Sequence, residues 1–302
     1  MNYDVVIVGG GPAGLSAALL LGRARKHVLL CDAGPRRNAA ASEVHSFLTR
    51  DGTPPQEMRD VARSQLARYR SVTVRDIGVE RIEGTPGAFV VQLAGETVRA
   101  RRVLLCTGMI DEVSALPAGA TELWGTSIFQ CPFCHAFEVL DRRFGWLAPT
   151  AEVLDFAIFL RGWTHDVVAF TGGRFDVPVE LRARLAQARV RVEEQPIRRF
   201  VGRGPELVAI ELEDGEHVPC DVMFARPPQR QTPLVRELGL ELDGSGFVRV
   251  DGHQQTSRPG IYAAGDLASM MQSALGGAAA GALAGTALAH ALTFEQAAAG
   301  EL

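Results

Sequence analysis

Asp4-Val-Val-Ile-Val-Gly-Gly-Gly-Pro-Ala-Gly14 is the stretch whose reading decides the fold. Its first five residues form an apolar, β-branched run, and Gly9-x-Gly11-x-x-Gly14 follows at once. A strand that runs into such a turn and then into a helix is a dinucleotide-binding fingerprint. Gly9 permits the tight turn, Gly11 lets the backbone approach a pyrophosphate, and Gly14 lets the helix pack on the strand. Pro12 and Ala13 open that helix, so the phosphates face its N-terminus. The chain returns through Val28-Leu-Leu-Cys31 to Asp32, an acid placed to accept a hydrogen bond from a ribose hydroxyl.

The whole chain has 302 residues, more than one compact core usually fills, so two domains are expected. A hydrophobic content of 47% with 22% charged residues describes a globular protein, and a net charge of −4 gives no electrostatic reason to expect nucleic acid or an anionic membrane as partner. The arginine clusters at 99–102 and 198–199 are short and read as solvated faces. The N-terminus enters a core strand without a signal-type segment, so a cytoplasmic protein is expected. The uncharged tract 274–292 is long enough to raise the question of a membrane span, but it is mostly Gly and Ala. A small-residue helix packed tightly on a cofactor or another helix is the better reading.

Five cysteines, an odd number, do not make a structural disulfide framework. Cys31, Cys106 and Cys220 lie in or beside apolar strand patterns and read as small buried hydrophobes. Cys131-Pro-Phe-Cys134 is different: its spacing puts both thiols on one helical turn, where they can close a disulfide. The alternatives are a structural bridge or half of a zinc site. Zinc needs a second ligand pair, and the sequence offers only His135 and the isolated Cys220, so no metal is expected.

Along the chain, residues 33–38 read as a loop, 54–69 as a helix and 72–77 as a strand. Phe89-Val-Val-Gln-Leu93 and Thr97-Val98 read as a hairpin around Gly95, followed by a separate strand, Val103-Leu-Leu-Cys106. The same layout recurs in Leu207-Val-Ala-Ile-Glu-Leu212, the turn at Gly215, His217-Val218 and the strand 221–225. Such a repeat implies two related nucleotide-binding-type domains. The predicted fold class is α/β, with two Rossmann-like three-layer domains and the second inserted in the first. The boundaries are 1–116 and 227–302 for the first domain and 117–226 for the insert. Strands are expected at 246–250 and 261–266, before the small-residue helix.

Gly9 to Gly14, Asp32, Cys106-Thr-Gly108, Cys131-Pro-Phe-Cys134 and Ala263-Ala-Gly-Asp266, in this order, resemble the low-molecular-weight thioredoxin reductases over nearly the whole chain. Cys131-Pro-Phe-Cys-His-Ala-Phe-Glu138, Arg37-Asn38 and Phe47-Leu-Thr-Arg-Asp-Gly52 are most similar to the branch of dithiol oxidases that close disulfides in natural products such as gliotoxin and holomycin. The resemblance implies FAD in the first domain. The pyrophosphate would lie at Gly11 to Gly14, the ribose at Asp32 and Ala33, the adenine near the backbone of Val79, and the ribityl chain at Gly265-Asp266. Asn38, Thr107 and Gly108 belong to the same cofactor set. Gln272-Ser273, at the N-terminus of the last helix, would face the flavin's pyrimidine edge. His45 is a further candidate that could reach the flavin, although a lone loop histidine is more often simply solvated. The resemblance also implies a homodimer.

The sequence departs from the family in the second domain. The NADPH glycine turn falls on Ala148-Pro149-Thr150, with Val153 where a small residue should be, and the arginine pair for the 2′-phosphate falls on Gly172-Gly173. Phosphate cradle and charge clamp are both missing, so this domain is expected to keep its fold without using NADPH. A non-standard NADPH site would draw on Arg161 or Arg174.

If the family geometry holds, Cys134 faces the flavin and Cys131 the substrate, with His135 as base and Glu138 to orient it or act in its place. The leading expectation is an FAD-dependent, NADPH-independent oxidase of a small-molecule or peptide dithiol, with O2 as acceptor. The runner-up reduces a thioredoxin-like protein with electrons from ferredoxin or a non-standard NADPH site. A third reading is a flavin-holding regulatory protein.

Overall fold

A computed structural model of the chain describes residues 2–34 and 36–301. Pro35, part of the expected loop 33–38, lies outside the described residues. The chain divides into two units, residues up to 110 with those from 229 onward, and an insertion at 111–228. The sequence reading had set that insertion at 117–226.

In the first unit, β1 (Asn2–Val8), α1 (Pro12–Arg23) and β2 (Val28–Cys31) form the expected unit, followed by α2 (Pro55–Leu66), β3 (Val72–Arg75), β4 (Val79–Glu83), β5 (Phe89–Leu93) and β6 (Glu96–Leu105). These strands make a sheet in the order β3-β2-β1-β6-β5-β4. The hairpin's second half and the strand expected after it are one ten-residue element, β6. Its first half pairs antiparallel with β5, from Leu93↔Glu96 to Phe89↔Ala100, while its later part runs parallel to β1, from Asn2↔Arg99 to Val8↔Leu105. A strand that serves two partners cannot break at the arginine run between them. Arg101 and Arg102 instead pair with Glu295, and Arg101 also with Glu301 at 2.8 Å, so this cluster ties down the C-terminal helix and is not merely a solvated face.

The chain leaves through the short strand β7 (Ile110–Asp111). The second unit holds α3 (Ala120–Leu123), β8 (Ile128–Phe129), α4 (Pro132–His135), β9 (Phe144–Leu147), α5 (Phe156–Leu160), β10 (Val167–Phe170), α6 (Val179–Gln187), β11 (Arg191–Glu193), β12 (Ile197–Arg203), β13 (Glu206–Leu212), β14 (His217–Pro219) and β15 (Val222–Ala225). Its parallel sheet runs β11-β10-β9-β15-β8, and β12-β13-β14 form a separate antiparallel sheet. The repeat is therefore imperfect: the first copy's hairpin strand runs on into its central sheet, whereas Cys220 and Asp221 separate β14 from β15. Arg198 and Arg199, expected to be solvated, flank the Glu211 carboxylate at 3.1 and 2.6 Å, and Arg199 first among them holds its pKa below the ordinary carboxylate range.

Returning, the chain forms β16 (Gln229–Arg230), α7 (Pro233–Glu237), β17 (Ile261–Ala263) and α8 (Ala274–Ala298). Residues 246–250 form no regular strand; they make isolated bridges, Leu242↔Val248 and Val250↔Thr256, while Phe247 and Val248 still fill the core under the sheet. The small-residue helix packs as expected, against α1: a Cβ on Gly281 would collide with the Ala13 backbone, and one on Gly285 would come within 3.0 Å of the Ala17 carbonyl oxygen. Glycine on α8 thus sets how closely the two helix backbones approach. By length and composition alone α8 could cross a membrane, but this glycine face is already buried on α1.

Candidate functional site: a nucleotide cradle and a dithiol turn

In the first unit, β2, β1, β6 and β17 are parallel neighbours, so the residues that follow them lie along one edge of the sheet. Backbone bonds carry the alignment one residue further, from Gly9 N–H to Cys31 O, Cys106 N–H to Val8 O and Ala264 N–H to Leu105 O. Open α/β sheets bind their ligands at this carboxyl edge. It gathers Gly9 to Gly14, Asp32 with Ala33, Thr107-Gly108 and Gly265-Asp266.

The glycine turn fits a pyrophosphate. Gly9 has φ +111°, and a side chain there would run into the Cys106 carbonyl; a Cβ on Gly14 would strike the Gly9 carbonyl. A Cβ on Gly11 meets nothing within 4 Å, so open space remains where the backbone heads α1. Around the other end, Arg37 Nη1 pairs with Asp266 Oδ2 at 2.8 Å, and the side-chain amide of Gln272 exchanges bonds with that of Gln229 at 2.9–3.0 Å. Ser273 caps α8, accepting from Gly276 N–H at 2.9 Å. Val79 opens β4 next to Gly78, whose backbone lies beside Ala33. The Asn38 carbonyl accepts from Ala41 N–H in a turn, and His45 sits between Glu43 (3.3 Å) and Asp51 (3.6 Å) in a loop closed by the Val44↔Thr53 bridge.

Asp32 has partners that the sequence reading missed. Arg59 of α2 pairs with its carboxylate, Arg63 reaches the same oxygen at 3.5 Å, and Gly34 N–H donates to the other at 3.3 Å. The Nε atoms of both arginines are buried without a partner. Orphaned buried donors beside an acid, at the edge where a ribose is expected, fit a polar ligand there. One signal was available: Arg59 and Arg63 stand four apart on α2 and therefore share a helix face.

In the second unit, β8 leads through Gln130 to Cys131, which is still extended (φ −123°, ψ 119°) and caps α4. Cys134 Sγ lies 2.7 Å from Cys131 Sγ. The Cys134 side chain first, then the backbone N–H groups of Cys134 and Phe133 and the cation of Arg226, outweigh burial and bring Cys131 down from 9.0 to about 7. The other three cysteines move the opposite way: burial drives Cys31 to about 11, Cys220 to about 12 and Cys106 higher still. Only the 131–134 pair combines partial exposure with a stabilised thiolate. The ring of His135 stacks on Phe129 (centroids 4.4 Å, 18° between planes), and Glu138 follows in the exposed turn after α4. Phe133, between the cysteines, joins an exposed aromatic wall with Phe159 and Trp163 at centroid distances of 5.6 and 5.7 Å.

At the end of β9, residues 148–150 lead into a 3-10 turn, Ala151–Val153. The buried Trp146 donates its indole N–H to the Val153 carbonyl at 2.8 Å and so fixes this turn over the sheet. Glu152 lies in that first turn, its carboxylate held below its ordinary pKa by the Thr150 hydroxyl and its own backbone N–H. Arg161, offered as a substitute phosphate ligand, is structural: it donates to the carbonyls of Ala188 and Thr164 at 2.9 and 3.1 Å. Arg174 is exposed and borders a small pocket with Gly172, Leu147 and Ile197. No cluster that could hold a metal occurs among the described residues.

Residues 3–145 and 175–289 match the model of the pyridine nucleotide-disulphide oxidoreductase family. A probable thioredoxin reductase of Arthroderma benhamiae is 39% identical over 57% of this chain and 44% of its own length. The thioredoxin reductase tcpT of Claviceps purpurea is 33% identical over 93% of this chain and 92% of its own. Among solved structures, HlmI superposes with a TM-score of 0.91 at 33% identity, covering 99% of this chain and 95% of that one. Cradle, dithiol turn and likeness agree that the chain belongs to the pyridine nucleotide-disulphide oxidoreductases, as an FAD-dependent disulfide oxidoreductase of the thioredoxin reductase type.

Proposed function

We propose that the chain is an NADPH-independent dithiol oxidase that closes a disulfide in a small molecule or peptide, with O2 as the final acceptor. The observation that carries this reading is the turn after β9. Where the family holds pyrophosphate, this chain has a pinned 3-10 turn and the carboxylate of Glu152, so an approaching phosphate meets a negative charge and no glycine cradle. Electrons then enter through the sulfurs.

In this reading His135 takes the proton of the incoming thiol, its ring plane fixed by Phe129, with Glu138 to orient it. The substrate thiolate attacks Cys131 Sγ of the oxidised pair, the S–S bond breaks, and Cys134 leaves as a thiolate. The second substrate thiolate attacks the substrate sulfur of the mixed disulfide; the product disulfide forms and Cys131 leaves as a thiolate. Two electrons have passed to the cysteines and two protons to base and solvent. FAD, held by the first unit's cradle, supplies the two-electron chemistry that restores the pair and passes the electrons to O2. In this reading the enzyme is cytoplasmic and, as the family resemblance implies, a homodimer.

Oxygen uptake in the presence of a small dithiol tests it. Wild type should consume O2 without NADPH; Cys131→Ser and Cys134→Ser should abolish uptake while flavin content stays unchanged. His135→Gln should slow it roughly a hundredfold or more, the usual scale of general base catalysis. Uptake that survives Cys131→Ser contradicts the reading. A requirement for NADPH and a thioredoxin-like protein would return the chain to the reductases.

A further inference from the structure

Cys131 has a charged neighbour that no motif announces. β15 and β8 are parallel, with Phe224 opposite Phe129. Two residues on from that pair, just past the end of each strand, stand Arg226 and Cys131, and the backbone at Cys131 is still extended. Strands in a sheet lie about 4.8 Å apart, so this register sets the two residues side by side at the carboxyl edge. On its other side β15 pairs with β9, Ala225 opposite Leu147, which puts Arg226 next to Ala148 as well. The guanidinium is exposed and lies over an aromatic face: its Cζ is 5.6 Å from the centroid of the Phe156 ring. That contact favours one position of a long side chain.

We infer that Arg226 adds a fixed positive charge beside Cys131: it helps stabilise Cys131 as a departing thiolate and favours anionic partners at this sulfur over neutral ones. Arg226 acts through Cys131 and is a positioning residue. Its place in the reaction follows from the electron count given above. In the step that closes the product disulfide, the bond between Cys131 and the substrate sulfur breaks, and the electron pair stays on Cys131. Leaving thiols depart faster the better their thiolate is stabilised. A cation beside Cys131 therefore speeds product release, and it draws in the substrate thiolate at the first step. The titratable and charged groups around Cys131 are Cys134 and His135 of α4, Glu138 in the turn after it, and Arg226 from the end of β15, whose guanidinium keeps its positive charge across the pH range.

This role rests on the pair being redox-active, but its test does not depend on the electron acceptor. The full-length holoprotein is reduced anaerobically, and alkylation of Cys131 by neutral iodoacetamide and by anionic iodoacetate is followed across pH by mass spectrometry of the 131–134 peptide. Arg226→Gln should lower the iodoacetate-to-iodoacetamide rate ratio at Cys131 roughly three- to tenfold and move the midpoint of the pH profile upward. Arg226→Lys, which keeps the charge, should restore both. Arg226 is exposed, so neither variant empties the core. An unchanged ratio and midpoint in Arg226→Gln overturns the inference, as does equal slowing of both reagents, which would mean lost packing alone. A glutamine variant whose only defect is weakened NADPH binding also overturns it, by assigning the cation to the Ala148 side. Because no turnover is measured, a chain that proved to be an NADPH-fed reductase would leave this result standing.

Discussion

At the scale of single residues, the five cysteines differ in their surroundings. Cys131 is brought to about 7 chiefly by the Cys134 side chain, while desolvation holds the thiols of Cys31, Cys106 and Cys220 protonated. Thiolate is the reactive form, so the alkylation rate at Cys131 should rise with pH through a midpoint of about 7 and level off above it. A midpoint at the ordinary thiol value would contradict this, and the other three should stay unlabelled until the protein unfolds. Asp32 offers a second test. Arg59→Met leaves a nearly buried carboxylate with only the longer contacts to Arg63 and the Gly34 N–H, and it removes an orphaned donor from the ribose end. Removing one partner of such a pair costs about 3–5 kcal/mol in other proteins. FAD affinity, read by flavin fluorescence, should therefore drop at least tenfold in Arg59→Met and less in Arg59→Lys. The placement of Asp32 just past β2 and of the two thiols on one turn was legible in the sequence because each is set by local chain geometry. The pairing of Arg59 with Asp32 and the approach of Arg226 to Cys131 were not, since helix packing brings the first and sheet order the second from elements remote in sequence.

At the scale of elements, glycine decides which helices can touch. Gly281 of α8 lies on the Ala13 backbone, at the helix end that also frames the pyrophosphate turn. Gly281→Ala forces the two helices apart, and overpacking of this kind typically costs about 1–3 kcal/mol. Thermal release of flavin should then occur several degrees below wild type, whereas Gly300→Ala, where a Cβ meets open space but φ is +70°, should shift it by less. An unchanged release temperature in Gly281→Ala would contradict the packing assigned to α8. The tract 274–292 was read correctly as a packed small-residue helix, because Gly and Ala have too little side chain to do anything else at close range. The strand pattern misled at two places. Val98 and Val103 belong to one element because β1 pairs across the arginines between them, and 246–250 buries Phe247 and Val248 without a partner strand to make it regular. Hydrophobic alternation reports burial, and pairing partners are a tertiary fact that it does not contain.

At the scale of the whole molecule, the two units share a plan and differ in what their first turns hold. The first keeps Gly9, Gly11 and Gly14 around an open cradle; the second has Trp146 and Val153 bonded across the same position and Glu152 in front of it. The missing glycines were readable in the sequence, and the indole that pins the turn was not, because a tryptophan in an apolar strand pattern reads as core. The anaerobic flavin spectrum tests the central claim most directly. Mixed with a small dithiol in the absence of O2, the flavin band near 450 nm should bleach, roughly in proportion to the dithiol added; mixed with NADPH under the same conditions, it should remain. Bleaching by NADPH at a rate matching turnover, with none by dithiol, would contradict the account.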